Sequence, residues 1–152
     1  MDSVRISTLV KGDPQSVYGL LREPERFPDF MPQIKKASIL WHLPPNRQIS
    51  EWEVEIEGVV IHWKEEDTYD DEQHSIVFRV IEGDYRAEGR WSIEKVRLSE
   101  TRVTVEATFD WGLTNLDRYV GPVLERKAKK NLTRMVAALR KNMRTRGFVA
   151  SG

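Results

Sequence analysis

From Gln33 to Leu113 apolar and polar residues alternate, and turn-forming residues interrupt the alternation every eight to twelve positions, which is the pattern of an antiparallel meander. Six strands are predicted, at roughly 34–43, 47–57, 59–69, 74–82, 85–97 and 102–112, separated by Pro44-Pro45-Asn46, Gly58, Asp70-Asp71-Glu72, Gly83-Asp84 and Leu98-Ser99-Glu100. Each carries an apolar row: Ala37, Ile39, Trp41; Trp52, Val54, Ile56; Val59, Ile61, Trp63; Ile76, Phe78, Val80; Tyr85, Ala87, Trp91, Ile93; and Val103, Val105, Ala107, Phe109, Trp111. The opposite rows are mostly charged, most clearly Glu51, Glu53, Glu55 and Glu57, so one face of the sheet is wet and the other is covered.

A seventh strand precedes these, with Val4, Ile6 and Val10 on one face. It meets Gly12-Asp13-Pro14, a helix start in which Asp13 accepts from free amides and Pro14 fits the first helical position. Val17, Leu20 and Leu21 give that helix an apolar face. A second helical turn opens at Pro24 and carries Phe27 and Phe30, with Pro28 and Pro32 keeping it short.

The cover of the sheet is the last segment. Thr114 or Asn115 can cap a helix from about residue 116 to 146, with Val120, Val123, Leu124, Ala128, Leu132, Met135, Val136, Leu139 and Met143 at three- and four-residue spacing. Residues 147–152 read as a loose tail, so residues 1–146 form a single domain. The predicted fold class is α+β: a seven-stranded curved antiparallel sheet around one long C-terminal helix, with two short helices after the first strand. A single helix does not fill such a sheet along its whole length, and a cavity between them is expected.

One row departs from its pattern. Ile61 and Trp63 point inward, and Glu65 and Asp67 continue the same row. Either the strand leaves the core after Trp63 and both acids are solvated at a rim, or Glu65 faces the cavity near Tyr85 or Phe78, where desolvation would raise its pKa toward acid–base use. The aromatic residues of the inward rows have a similar double reading. They fill the core, or some of them line a cavity for a flat apolar ligand. Asn131 interrupts the apolar stripe of the last helix; it is either a buried amide satisfied internally or a hydrogen-bond donor to a ligand carbonyl.

Composition narrows the chemistry. The 152 residues are 39% hydrophobic and carry no net charge, enough for one core and no field that recommends nucleic acid. The absence of cysteine excludes disulfides, thiolate catalysis and zinc–thiolate sites. No apolar run approaches the roughly 20 residues that span a bilayer, and a cytoplasmic location is expected. Charge is nonetheless segregated: residues 117–146 hold ten Lys/Arg against two acids, and residues 51–72 hold ten acids against Lys64 alone. The basic helix face suits anionic lipid headgroups in a peripheral membrane contact, with a solvated outer face as the plainer explanation. His62 and His74 lack partners at metal-ligand spacing, and there is no Gly-rich phosphate loop or nucleophile elbow, so no metal or organic cofactor is expected. Arg79, Arg86 and Arg90 fall on outward rows.

Three stretches carry a resemblance: "DPQSVYGLLREPERFPDFMP", "HWKEEDTYDDEQHSIVFRVIEGDYRAEGRWSIE" and "KKNLTRMVAALR". Together with the order of elements they resemble the helix-grip proteins, the START-like or Bet v 1-like superfamily, and within it the bacterial polyketide cyclase/dehydrase and coenzyme-Q-binding-protein group. The resemblance implies a small hydrophobic ligand, whether polyketide, quinone or lipid, held between sheet and helix. It also implies either cyclase, aromatase or dehydrase activity without a cofactor, or a non-catalytic carrier. On that basis Glu65, Tyr85 and Asn131 are the candidate catalytic residues, and Trp52, Trp63, Phe78, Trp91, Phe109, Trp111 and Met135 the candidate ligand contacts. Where the cyclases tend to carry Arg, four positions after the matching Trp63, this chain has Asp67, which argues against their usual ketone-polarising chemistry.

Overall fold

Seven strands form one antiparallel sheet: β1 (Asp2–Lys11), β2 (Ile34–Leu43), β3 (Arg47–Ile56), β4 (Val59–Asp70), β5 (Ser75–Gly83), β6 (Arg86–Arg97) and β7 (Glu100–Asp110), in the spatial order β1-β7-β6-β5-β4-β3-β2. The coordinates are a computed structural model that describes the backbone of residues 2–110 and 117–151 and the side chains of residues 3–109 and 122–145. Between β1 and β2 lie α1 (Pro14–Leu21) and a 3-10 helix (Pro24–Asp29); α2 (Asp117–Ser151) follows the sheet and packs in its concavity. This is the helix-grip arrangement the residue pattern calls for.

Local chemistry explains the elements. The Asp13 carboxylate accepts from the Ser16 amide at 2.7 Å and Pro14 opens α1, which buries Val17, Leu20 and Leu21. On α2, Ala128, Met135, Val136, Leu139 and Met143 are buried and Leu124 and Leu132 partly so. Val123 is exposed, which corrects its place in the predicted apolar stripe; the stripe meets the sheet only further along the helix. The proposed caps Thr114 and Asn115, and Trp111, lie outside the described residues, as does the side chain of Val120.

Among the described residues, the inward rows run as predicted with one exception. Trp41 is 59% exposed, because a register irregularity between Ile39 and Trp41 places an extra residue in β2 and turns every later side chain to the opposite face. Trp41 therefore stands opposite Ile49 on the outer face of an edge strand.

A second irregularity shapes the interior. The β4–β5 register shifts between Lys64 and Glu65, so that Trp63 pairs with Gly83 and Glu65 with Val80. Gly83 has a φ of 137°, and a Cβ there would stand 2.5 Å from the Trp63 Cα. Only glycine permits that approach. On the wet face charged side chains pair across strands, as in Lys36–Glu51 at 2.8 Å. Lys127 and Lys130 of α2 reach Glu57, beside the β3–β4 turn, at 2.8 and 3.1 Å, so part of the basic helix face is engaged within the molecule. Among the described residues no helix is long and apolar enough to cross a membrane.

A candidate ligand cavity with a buried carboxyl pair

The cavity lies between the sheet, the Leu21–Phe27 segment and the middle of α2, and its volume is about 50 Å³. That is room for a few waters and not for a multi-ring molecule. A multi-ring ligand must therefore displace side chains on entry.

An aromatic chain forms one wall. Trp52 and Trp63, directly opposite each other on β3 and β4, stack at 5.7 Å with planes 2° apart. Phe27 packs on Trp52 at 5.6 Å, and Tyr85 meets Trp63 edge-on at 5.4 Å. Ring pairs of this kind contribute about 0.5–1.5 kcal/mol each beyond burial, which favours this arrangement of the wall.

Glu65 and Asp67 are 8% and 3% exposed. The row does not leave the core after Trp63: Tyr69 continues it, also buried, and the rim reading of both acids is corrected. The strand stays inward because its opposing row on β3 supplies partners. Ser50 Oγ donates to Asp67 Oδ2 at 2.7 Å, Gln48 Nε2 donates to the same oxygen at 3.3 Å, and Trp52 Nε1 donates to Ser50 Oγ at 2.9 Å. Trp63 Nε1 donates to Glu65 Oε1 at 2.7 Å, and the two carboxyls hydrogen-bond each other.

Two acids this close in an apolar wall cannot both ionise. Burial, the Asp67 charge and the hydrogen bond to it push the Glu65 pKa well above the ordinary carboxylate range. Asp67 is also raised by burial, but its bonds from Glu65, Ser50 and Gln48 oppose the rise. The pair therefore titrates as a unit that favours a shared proton, with the stronger upward push on Glu65. Burial, then the Glu65 charge, raises the Tyr85 phenol and keeps it a neutral donor.

α2 contributes Asn131, Leu132 and Met135. The Asn131 carbonyl accepts from Gln33 Nε2 at 3.1 Å, whereas its amide N–H has the weakly accepting Met135 sulfur at 3.5 Å. A ligand carbonyl would offer that N–H a better acceptor.

The predicted site residues Trp52, Trp63, Glu65, Phe78, Tyr85, Trp91, Asn131 and Met135 are thus brought to one cavity. Phe109 is buried behind Tyr85 at 5.9 Å and is not among the lining residues. Ser50, Gln48, Gln33, Tyr69 and Phe27 were missed. The signal for the first two was there: polar residues in phase with Trp52 on β3 fall opposite the acids, with Gln48 paired to Asp67 and Ser50 to Glu65. At the edge of the cavity Arg22 lies 4.2 Å over the Tyr69 ring and 3.5 Å from Asp71, which also accepts from Tyr18 at 2.6 Å. Among the described residues no group of three His, Asp or Glu could hold a metal ion.

Comparison with solved structures finds the same fold. The chain superimposes on the Zhui aromatase/cyclase from Streptomyces sp. R1128 with a TM-score of 0.90 and 18% identity, covering 99% of this chain and 98% of that one. A protein of Thermus thermophilus gives 0.83 and 22%, covering 99% and 100%. A START superfamily protein from Mycobacterium smegmatis gives 0.75 and 19%, covering 94% and 97%. No curated protein sequence matches. A family model described as polyketide cyclase / dehydrase and lipid transport matches residues 10–136, most of the chain, and the protein belongs to that family within the helix-grip superfamily.

Proposed function

We propose that this cavity binds a ring-bearing hydrophobic ligand and that the Glu65–Asp67 pair performs acid–base chemistry on it, as a cyclase or dehydrase. The observation that carries the reading is a pair of hydrogen-bonded carboxyls buried in an aromatic wall, an arrangement that favours one shared proton. In a dehydration, Glu65 would give its proton to a departing ligand hydroxyl while Asp67 takes the proton from the neighbouring carbon. A C–H and a C–O bond break, a C=C bond forms and water leaves. The pair ends with its one proton on Asp67, and transfer across their hydrogen bond restores the starting state. Tyr85 and the Asn131 amide would donate to the carbonyl that acidifies the C–H.

The rival reading is a carrier of a lipid or quinone. What supports it is that no Lys, Arg or His is among the described lining residues, so nothing cationic polarises a ketone there. The test is dehydration of a cyclic β-hydroxyketone followed by absorbance of the conjugated product. Catalysis that falls about 10²–10⁴-fold in Glu65→Gln supports the enzyme, the range expected for loss of a general acid. Binding with no turnover, or a lipid or quinone found by native mass spectrometry of protein from its own host, overturns it in favour of the carrier.

A further inference from the structure

We infer that the cavity selects ring-bearing ligands that carry a protonated amine, and rejects those that carry a carboxylate. The inference rests on the reading that this cavity is the ligand site, and it names the charge class of the ligand.

Among the described residues, the walls hold a negative charge without a positive one. Asp67 and Glu65 are satisfied by neutral donors alone: the Ser50 hydroxyl, the Gln48 amide and the Trp63 indole. The other titratable groups among the described wall residues, Tyr69 and Tyr85, are phenols whose ionisation burial suppresses. α2 faces the pair with Asn131, Leu132 and Met135, β5 with Ile76 and Phe78, and none of these is charged. At the cavity edge Arg22 lies over the Tyr69 ring at 4.2 Å and 3.5 Å from Asp71, which offsets its charge. An ammonium group on a ligand would supply the missing counter-charge to Asp67.

The aromatic lining suits the same group. Trp52, Trp63, Tyr85, Phe78 and Trp91 surround the space beside the acids, and ring faces and indole quadrupoles attract a desolvated cation within about 6 Å of a centroid. A carboxylate would meet both the Asp67 charge and the ring faces with the wrong sign. A bound ammonium also removes the reason for Glu65 to keep its proton, so amine binding should release a proton to solvent, whereas a neutral ligand should release none.

Isothermal titration calorimetry with three probes of one shape decides this: 2-naphthylmethylamine, 2-naphthylmethanol and 2-naphthoate, at pH 7 in two buffers of different ionisation enthalpy. The amine is expected to bind about tenfold or more tighter than the alcohol, with a buffer-dependent heat that reports proton release, and the naphthoate is expected not to bind. In Asp67→Asn the amine-to-alcohol ratio should fall toward one, whereas in Glu65→Gln, which keeps the Asp67 charge, the ratio should persist and the buffer-dependent proton release should disappear. An alcohol that binds as tightly as the amine, or a naphthoate that binds at all well, overturns the charge selection while leaving the cavity as the ligand site. Failure of all three probes overturns both.

Discussion

Ser50→Ala isolates the network that keeps the acids inside. The substitution removes the 2.7 Å hydrogen bond to Asp67, and it strips the buried Trp52 indole N–H of its acceptor at 2.9 Å. A hydrogen bond to a charged group contributes about 1.5–3 kcal/mol, and an orphaned buried donor costs about 1–3 kcal/mol. Because both losses occur at one oxygen they overlap, and a loss of about 2–4 kcal/mol is expected. That is a large share of a stability of about 5–15 kcal/mol.

The loss should depend on pH in a defined direction. The Ser50 bond favours the ionised form of Asp67 and holds its pKa below where burial alone would put it. Its contribution is therefore present at neutral pH and fades as pH falls through the folded-state pKa of Asp67, which lies above the ordinary 3.8. Urea unfolding of the wild type and Ser50→Ala at pH 7 and again near pH 4 measures both values. A penalty under about 0.5 kcal/mol at pH 7, or one that grows toward pH 4, would refute the charged-acceptor account of Asp67.

Four further outcomes follow from particular residues. Glu65→Gln keeps an acceptor for Trp63 and a donor for Asp67 while removing the titration; because a raised acid makes the folded state bind the extra proton, wild-type stability should fall as pH rises above 4.5 toward the Glu65 pKa, and the variant's slope over that window should flatten in thermal melts. Gly83→Ala should cost about 1–3 kcal/mol in chemical denaturation, from strain at positive φ and contact with the Trp63 backbone, and a neutral result would contradict the bulge geometry. Trp41→Ala should change stability by less than about 1 kcal/mol, whereas Trp63→Ala should lose about 3–5 kcal/mol, and equal losses would mean Trp41 is inward after all. The Glu57 carboxyl should titrate at about 2 by carbon-detected NMR, held down first by its Lys127 hydrogen bond and then by Lys130, and should move toward its ordinary value in Lys127→Ala and in high salt.

Most of the fold was legible in the sequence because strand alternation and helix spacing are physical consequences of burial. Each of the seven strands shares most of its length with the predicted segment, and Trp52, Trp63, Phe78 and Trp91 point inward. Trp41 was misread because a bulge changes the phase without changing the composition of the strand. Glu65 and Asp67 were ambiguous for a different reason. Read along β4 alone, two acids after Trp63 are what a strand entering water looks like. Their burial depends on Gln48 and Ser50 of the neighbouring strand, a cross-strand relation fixed only once the register is known. The Gln33–Asn131 bond joins residues 98 positions apart and left no local signal.

The central claim is that a ring-bearing ligand enters the cavity beside the Trp52–Trp63 stack. Proton–nitrogen NMR of the indole N–H groups during titration with 2-naphthylmethylamine and 2-naphthylmethanol tests it most directly. The Trp52 and Trp63 resonances should shift, since their N–H groups bind Ser50 and Glu65 at the cavity wall, and that of the outward Trp41 should stay in place. Unchanged Trp52 and Trp63 signals at saturating probe, or a shift confined to Trp41, would contradict the account.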